Sequence, residues 1–177
     1  QADILLDQNF YLDSSDARYL GLVPAHCRLL LGPLYALLNP DYALLRPLVL
    51  PRREIARILV FFGGVDSYNL TSLALRALSS KLLLEVSVDV VLGSQSPHFS
   101  EVQGLVASRP LTTLHVQLPS LAGLILRADL ALGAVGTTTW ERACLGLPSL
   151  VIATSSNQLP SALALDQACE LTLLGTG

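Results

Sequence analysis

Charge is scarce in this chain: Asp, Glu, Lys and Arg make up only 14% of its 177 residues, and the net charge is −3. With an isoelectric point near 5.5 and no basic run, the sequence argues against nucleic acid as a partner. Methionine is absent, and the chain opens on Gln1 almost directly into an apolar run, which reads as a fragment of a longer protein. There is no secretory signal or lipidation motif. The cysteines, Cys27, Cys144 and Cys169, are scattered, which fits small buried side chains in a reducing cytoplasm. No set of His, Cys, Asp and Glu has metal-ligand spacing, so no metal is expected. The G-x-G-x-x-G and G-x-x-x-x-G-K-[ST] fingerprints are both missing, so neither NAD nor ATP chemistry is supported and no cofactor is expected. Every long apolar stretch is broken by charge, Gly or Pro before it reaches bilayer length, so no membrane span is expected.

What the chain has in quantity is apolar residues, 51%, with a mean hydropathy of +0.53. That is high for a protein without a membrane span, and it implies extra surface buried against another domain or subunit. Residues 3–7 read as a buried strand whose end carries Gln8 and Asn9; a polar segment, 13–19, follows. Residues 28–31 form another short strand, stopped by Gly32-Pro33. A short helix and several prolines over 35–51 look like a connector, which places a boundary near residue 50.

From Arg57 the pattern becomes regular. Apolar runs at 58–62, 86–92, 112–116, 128–132, 150–153 and 171–174 read as strands covered on both faces. Helices are expected at 69–78, 99–107, 119–126, 138–145 and 159–168; the first places Leu70, Leu73, Ala74, Ala77 and Leu78 on one stripe, and Pro119 opens the third. This alternation predicts an α/β fold with a doubly wound, parallel, Rossmann-like sheet. Ligands of such sheets sit outside the carboxyl ends of the strands. The unusual residues stand in those loops: Gly63, Gly64 and Asp66; Gly93, Ser94, Gln95 and His98; Gln117; residues 133–139; and Asn157 with Gln158.

The stretch 127–151 concentrates the signal. A strand over 128–132, a small-residue turn over 133–136 and a helix from Thr138 present unpartnered N–H groups and a positive dipole end to an anion, and three threonines add hydroxyls. Thr138 and Glu141 have capping-box spacing, so Glu141 either closes that box or takes two ribose hydroxyls. Gly63-Gly64 is either a tight strand-to-helix turn or one that admits a phosphate. Of the histidines, His115 inside a strand reads as a hydrogen-bonded core residue, His98 is better placed for chemistry but lacks a nucleophile motif beside it, and His26 has no evident partner.

The motifs DILLDQNF (3–10), LLLGPLYALLNPDY (29–42), RILVFFGGVDSYNLT (57–71), VDVVLGSQSPH (88–98), ADLALGAVGTTTWERACLGLPSLVI (128–152) and NQ (157–158) resemble the UDP-sugar hydrolase of pseudaminic acid biosynthesis, in a family shared with spore-coat polysaccharide biosynthesis proteins. That family is similar in fold to the N-acetylglucosaminyltransferase of peptidoglycan synthesis, a GT-B enzyme. The resemblance implies the carboxyl-terminal domain of a GT-B fold over 51–177, with residues 1–50 as the tail of an amino-terminal domain and the connector. It implies a UDP-sugar ligand and a missing amino-terminal domain, or a second subunit, as partner. The implied reaction is hydrolysis of UDP-diacetamido-trideoxy-L-altrose to UDP and free sugar, in the cytoplasm and without metal; a transferase or a non-catalytic nucleotide-sugar-binding module is the alternative. Gly133, Gly136, Thr137 and Thr138 would face the diphosphate and Glu141 the ribose. Val116 and Leu118 would flank uracil, Asn157 and Gln158 would lie near the sugar and phosphates, and Gly63, Gly64 and Asp66 would border the cleft. The family's catalytic histidine belongs to an early glycine-rich loop that no position here matches. Val135 stands where the family's turn more often has a second glycine, and a β-branched residue there resists positive φ and adds bulk.

Overall fold

The computed structural model describes residues 2–12 and 15–177; Asp13 and Ser14 of the expected polar segment lie outside the described residues. Two strands, β1 (Ile4–Asp7) and β2 (Arg28–Leu31), pair in parallel as a small sheet of their own. The expected burial of the first strand is not met: Ile4 is 60% exposed and Leu6 39%. A two-stranded sheet cannot cover both of its own faces, and here one stays open. Helix α1 (Asp41–Leu45) then leads into the regular half.

That half has six parallel strands: β3 (Arg57–Phe61), β4 (Ser87–Leu92), β5 (Thr112–Val116), β6 (Leu130–Ala134), β7 (Ser149–Ala153) and β8 (Thr172–Thr176). They lie in the order β5-β4-β3-β6-β7-β8. Between them run α2 (Leu70–Leu78), α3 (Phe99–Ser108), α4 (Ala122–Arg127), α5 (Thr137–Cys144) and α6 (Leu159–Gln167). Successive side chains of a strand point to opposite faces, and β3 divides accordingly. Ile58, Val60 and Phe62 pack with Leu75 and Leu78 of α2 and Val102 of α3. Leu59 packs with Leu124 and Ile125 of α4 and with Tyr42 of α1. The sheet is therefore doubly wound, as the alternation predicts. Its order reverses between β3 and β6, and the carboxyl ends of those two strands flank the crevice where such folds bind ligands.

Two local expectations are corrected. In α2 the buried residues are Leu70, Thr71, Ser72, Leu75 and Leu78, whereas Leu73 is 60% exposed and Ala77 is also outside. The buried face thus keeps Leu70 and Leu78 of the expected stripe and replaces Leu73, Ala74 and Ala77 with Thr71, Ser72 and Leu75. Helix α4 starts at Ala122, after Leu121 as N-cap, so Pro119 lies in the preceding loop rather than the first turn. The cysteines also differ from expectation: Cys27 and Cys144 are half-buried and Cys169 is exposed.

The few charges are spent on backbone groups and on one buried hub. Arg52 donates through Nε to Ala128 O at 2.8 Å and through Nη1 to Leu145 O at 3.1 Å and Gly146 O at 2.9 Å. It thereby satisfies carbonyls at the ends of α4 and α5, where cations are favoured. Arg109 does the same beyond α2, with Nε 3.2 Å from Leu78 O and Nη2 2.6 Å from Leu83 O. Burial pushes both guanidinium groups down. The hub is Asp89 on β4, 1% exposed, which accepts from Arg57 Nη1 at 3.1 Å, Arg127 Nη2 at 2.7 Å and Nε at 3.1 Å, with His115 Nε2 2.7 Å away. This is the hydrogen-bonded role expected for His115.

Burial alone would raise the Asp89 pKa, but the bonds from Arg127, His115 and Arg57 outweigh it and hold the carboxyl below its ordinary value. A depressed carboxylate contributes stability that is fully present above its unfolded pKa, about 3.9, and is lost as pH falls through the folded value. Asp89→Asn is expected to cost about 2 kcal/mol near neutrality, because it removes the buried charge on which the partly exposed Arg57 and Arg127 and the His115 ring converge. Urea unfolding at stepped pH should show the gap between wild type and variant narrowing only below about pH 4; a gap that persists unchanged to lower pH would refute the assignment.

Candidate functional site

The site forms where β6 ends and α5 begins. The strand runs on to Ala134, so Gly133 lies within β6 rather than in the turn where it is expected. A Cβ on Gly133 would stand 2.6 Å from Arg142 Nη1 and 2.7 Å from Phe61 O, so this glycine makes room for a guanidinium and a neighbouring strand. Val135 follows with its side chain 5% exposed, packed with Trp140, Val151, Ala162 and Leu165. It is not among the residues with positive φ, so the valine meets no backbone strain. Gly136, the N-cap, has extended backbone (φ 166°), and a Cβ on it would meet nothing within 4 Å. Neither conformation nor packing requires glycine there. Its effect is to leave the space before the helix open.

The capping box is not Thr138 with Glu141. It joins Gly136 and Thr139: the Gly136 N–H donates to Thr139 Oγ1 at 3.1 Å, and the Thr139 N–H donates to Gly136 O at 2.9 Å. The helix begins at Thr137 with Gly136 as N-cap, two residues before the cap that the Thr138–Glu141 spacing implies, which moves the third helical position from Glu141 to Thr139. The N–H groups of Thr137 and Thr138 have no carbonyl a full turn earlier in the helix, so they remain as donors. Behind them lies Arg142, 3% exposed, donating through Nη2 to Ala134 O at 3.0 Å and to Thr139 Oγ1 at 3.3 Å. No carboxylate stands within ion-pair distance among the described residues, and burial pushes this guanidinium down to about 10. It remains a cation at neutral pH, placed under the turn, and adds to the positive end of the helix dipole. Nothing in the one-dimensional pattern marked Arg142, because a single Arg in a helix is ordinarily solvated.

A cavity of about 200 Å³ opens in front of this helix end, lined by Gly136, Thr137, Thr139, Trp140, Asn157, Gln158 and Ser161 together with Gln8 and Asn9. Four of the expected site residues are thus brought together: Gly136, Thr137, Asn157 and Gln158. Gln8 and Asn9, whose place at a strand's carboxyl end left a cleft-facing and a turn-capping role both open, also line it. Gln8 Oε1 accepts the Leu37 N–H at 3.1 Å, and Gln158 Oε1 accepts the Thr154 N–H at 2.9 Å. Asn9 donates to Asp7, whose other oxygen accepts from Tyr19 at 2.7 Å. Burial pushes Asp7 up, but the Tyr19 and Asn9 bonds and the Arg18 charge hold it below the usual carboxylate range.

The remaining expected residues are dispersed around that core. Thr138 faces a crevice with Phe61, Leu121 and Arg142. Val116 and Leu118 flank Gln117, which has φ 53° and donates through Nε2 to Ser94 Oγ at 2.9 Å. A non-glycine residue in the left-handed region at a strand's carboxyl end is a mark of functional loops. Gly63 needs its φ of 104°, and Gly93 packs so closely on Gly64 O that a Cβ would lie 2.5 Å from it. Asp66, 5% exposed, serves the fold: its two oxygens accept the N–H groups of Leu70 at 3.0 Å and Thr71 at 2.8 Å, capping α2. Glu141 sits one turn into α5, half-buried beside Tyr42; burial raises its pKa, tempered by Tyr42 and the Arg142 charge. His98 Nε2 lies 3.4 Å from Ser67 O, and His26 lies 3.4 Å from an exposed Asp3. No cluster of three or more metal-ligating side chains exists among the described residues, and no helix there is long and apolar enough to cross a membrane.

The same architecture occurs among solved structures. The crystal structure of Acinetobacter baumannii MurG superposes with a TM-score of 0.62 at 18% identity, covering 97% of this chain and 52% of that one. The fold is that of a Rossmann-like GT-B domain. In sequence the chain is 30% identical over 153 residues to the spore coat polysaccharide biosynthesis protein SpsG of Bacillus subtilis, covering 85% of this chain and 45% of that protein. It is 29% identical over 127 residues to an uncharacterized protein of Methanocaldococcus jannaschii, covering 68% of this chain and 26% of that one. No family model matches the chain. The chain thus spans about half the length of SpsG and of MurG. At 18% identity the likeness to MurG is one of fold, and SpsG is matched over less than half of its length.

Two substitutions separate structural from binding roles in this GT-B-like domain. Gly133→Ala is expected to destabilise by about 1–3 kcal/mol through overpacking against Arg142 and Phe61. Asp66→Ala should cost about 1–2 kcal/mol through the lost α2 cap. Chemical denaturation of both variants checks these values; an Asp66→Ala protein as stable as wild type would leave its carboxylate free to face the cleft.

Proposed function

We propose that this chain is the nucleotide-binding half of a UDP-sugar-using enzyme, and that its reaction is hydrolysis releasing UDP from UDP-diacetamido-trideoxy-L-altrose. The observation that carries the nucleotide reading is the open start of α5. Two unsatisfied N–H groups, at Thr137 and Thr138, stand over a buried unpaired cation, behind a glycine that packing does not require. A diphosphate accepts such N–H groups, and the dipole and the Arg142 charge favour its negative charge. Gly136, Thr137 and Thr138 would hold the phosphates, Glu141 the ribose, and backbone groups of Val116 and Leu118 the uracil. Gln8, Asn9, Asn157 and Gln158 would line the sugar side. Gly63, Gly64 and, through α2, Asp66 would shape the cleft edge, while Gly133 would act indirectly by admitting Arg142.

In the reaction, water would attack the anomeric carbon as its bond to the diphosphate oxygen breaks. Negative charge then grows on the leaving UDP, and donors fixed in advance at the Thr137 and Thr138 amides would stabilise it without reorganisation. Transfer to an acceptor hydroxyl instead of water is favoured by one finding, the likeness in fold to MurG. Both reactions need the same donor site, and a partner domain upstream, or a second subunit, would close the cleft.

Titration calorimetry with UDP is the direct test. The chain is expected to bind UDP, and Glu141→Ala to weaken it about tenfold through lost charge-assisted bonds to the ribose. Unchanged affinity in a folded Glu141→Ala protein would leave Glu141 with a purely structural role. Absence of UDP binding would sink the nucleotide reading. Release of UDP from the sugar nucleotide with and without an acceptor, measured on the chain joined to its upstream partner, separates hydrolysis from transfer.

A further inference from the structure

Tyr42 is the one residue of the connector that is completely enclosed, 1% exposed, in the cluster formed by Leu59, Ile125, Leu145 and Leu147. Phenylalanine would pack there equally well. The hydroxyl brings a cost instead: it is fully buried and has no hydrogen-bond partner. A polar atom left in that state typically costs about 1–3 kcal/mol. Glu141 Oε2 is in the same state, buried and unpartnered. Tyr42 and Glu141 lie side by side, close enough that each bears on the other's ionisation, with Ser120 also beside the phenol, yet neither orphan atom has a partner in hydrogen-bond geometry. Glu141 as a whole is only half-buried, so the rest of its side chain reaches toward solvent. A phenol can donate and an ionised carboxylate can only accept, so the pair is complementary in kind.

Resting on the reading of Glu141 as the ribose ligand, we propose that Tyr42 is a positioning residue: its hydroxyl donates to Glu141 Oε2 when Oε1 accepts a hydroxyl of the nucleoside diol, fixing the carboxylate in the orientation that selects ribose. The free protein leaves both atoms unpaired. Binding draws the carboxylate into line and satisfies them together, so part of the selectivity for a ribonucleotide comes from α1, outside the nucleotide-binding loops. Burial pushes the phenol above its ordinary value, and the nearby Glu141 charge adds to that, which keeps it protonated as a donor.

The test compares wild type, Tyr42→Phe and Glu141→Gln by calorimetry with UDP and with deoxy-UDP, which lacks one ribose hydroxyl, alongside thermal unfolding. Wild type is expected to prefer UDP about tenfold. Tyr42→Phe should lose most of that preference while binding deoxy-UDP as wild type does, and its Tm should be unchanged or higher because an orphan hydroxyl is gone. A Tyr42→Phe protein that keeps the wild-type preference, while Glu141→Gln loses it, overturns the positioning role and leaves the nucleotide site standing. If wild type binds no UDP, or if Glu141→Gln keeps the preference, the ribose reading itself falls, and the positioning role with it.

Discussion

The structure depends on satisfying the backbone groups at helix ends in a chain that has few charges to do it with. Each α-helix leaves N–H groups at its start and carbonyls at its finish without internal partners. At the carbonyl ends of α4 and α5, and beyond α2, the chain brings arginines in from elsewhere: Arg52 reaches both α4 and α5, Arg46 reaches Cys144 O, and Arg109 gathers the carbonyls of Leu78, Leu83 and Val86. Arg52 and Arg109 are drawn away from solvent and partly desolvated, whereas Arg46 stays exposed. At the start of α2 a single carboxylate, Asp66, serves two N–H groups. At the start of α5 the capping box engages only Gly136 and Thr139. The donors of Thr137 and Thr138 therefore stand open at the end of the strand beside the reversal in sheet order, the place where a parallel sheet is least obstructed.

The glycines around that opening fall into kinds that sequence cannot separate. Gly63 is required by its φ of 104°, Gly93 by the approach of Gly64 O, and Gly133 by the guanidinium of Arg142. Gly136 is required by none of these. Gly64 too is required by neither φ nor packing, but Gly136 is the one that borders the cavity, and an absent side chain at a helix start is what close approach by an anion needs. Arg142 ties two of these positions together. Its bulk explains Gly133 and its charge lies under Gly136, so the strand glycine affects the anion site only through the arginine it accommodates.

Much of the fold was legible because a parallel sheet buried on both faces writes itself as continuous apolar runs. The segments 58–62, 112–116 and 150–153 coincide with β3, β5 and β7 to within a residue. The helices were legible in number but less so in orientation. In α2, counting leucines selected Leu73, whereas the sheet-facing side carries Thr71 and Leu75, because close helix–sheet approach rewards small size as much as hydrophobicity. Cap geometry was not legible: S/T-x-x-E spacing at Thr138 suggested one box, and a cap two residues earlier, at Gly136, made another. The roles of Tyr42 and Gln8 depend on contacts between distant segments, Tyr42 with α5 and Gln8 with Leu37, which no local pattern encodes; Asp66 and Arg142 act on residues close in the chain, but their burial comes from the packing around them. The grouping of Gly136, Thr137, Asn157 and Gln158 was legible, because in a doubly wound sheet every strand's carboxyl end faces the same side.

Helix α5 has only eight residues, too few to be stable in isolation. Its position must come from packing, and three of its sides are occupied while Thr137 and Ala143 stay exposed. Trp140 packs on Val135, Val151 and Leu165, with Phe10 of the small sheet's following segment beside them. Arg142 faces the sheet, bonded to Ala134 O. Glu141 and Cys144 face α1, where Tyr42 and the Arg46 bond to Cys144 O hold the end of the helix. Arg52 fixes the carbonyls that follow. A helix clamped on three sides cannot rotate or slide to meet a ligand, so its free N–H groups keep one direction whether or not anything is bound. Donors that need not reorganise are those that stabilise developing charge most effectively. Helix α1 and the small sheet, although outside the six-stranded unit, thus help to fix the direction in which the open end of α5 points.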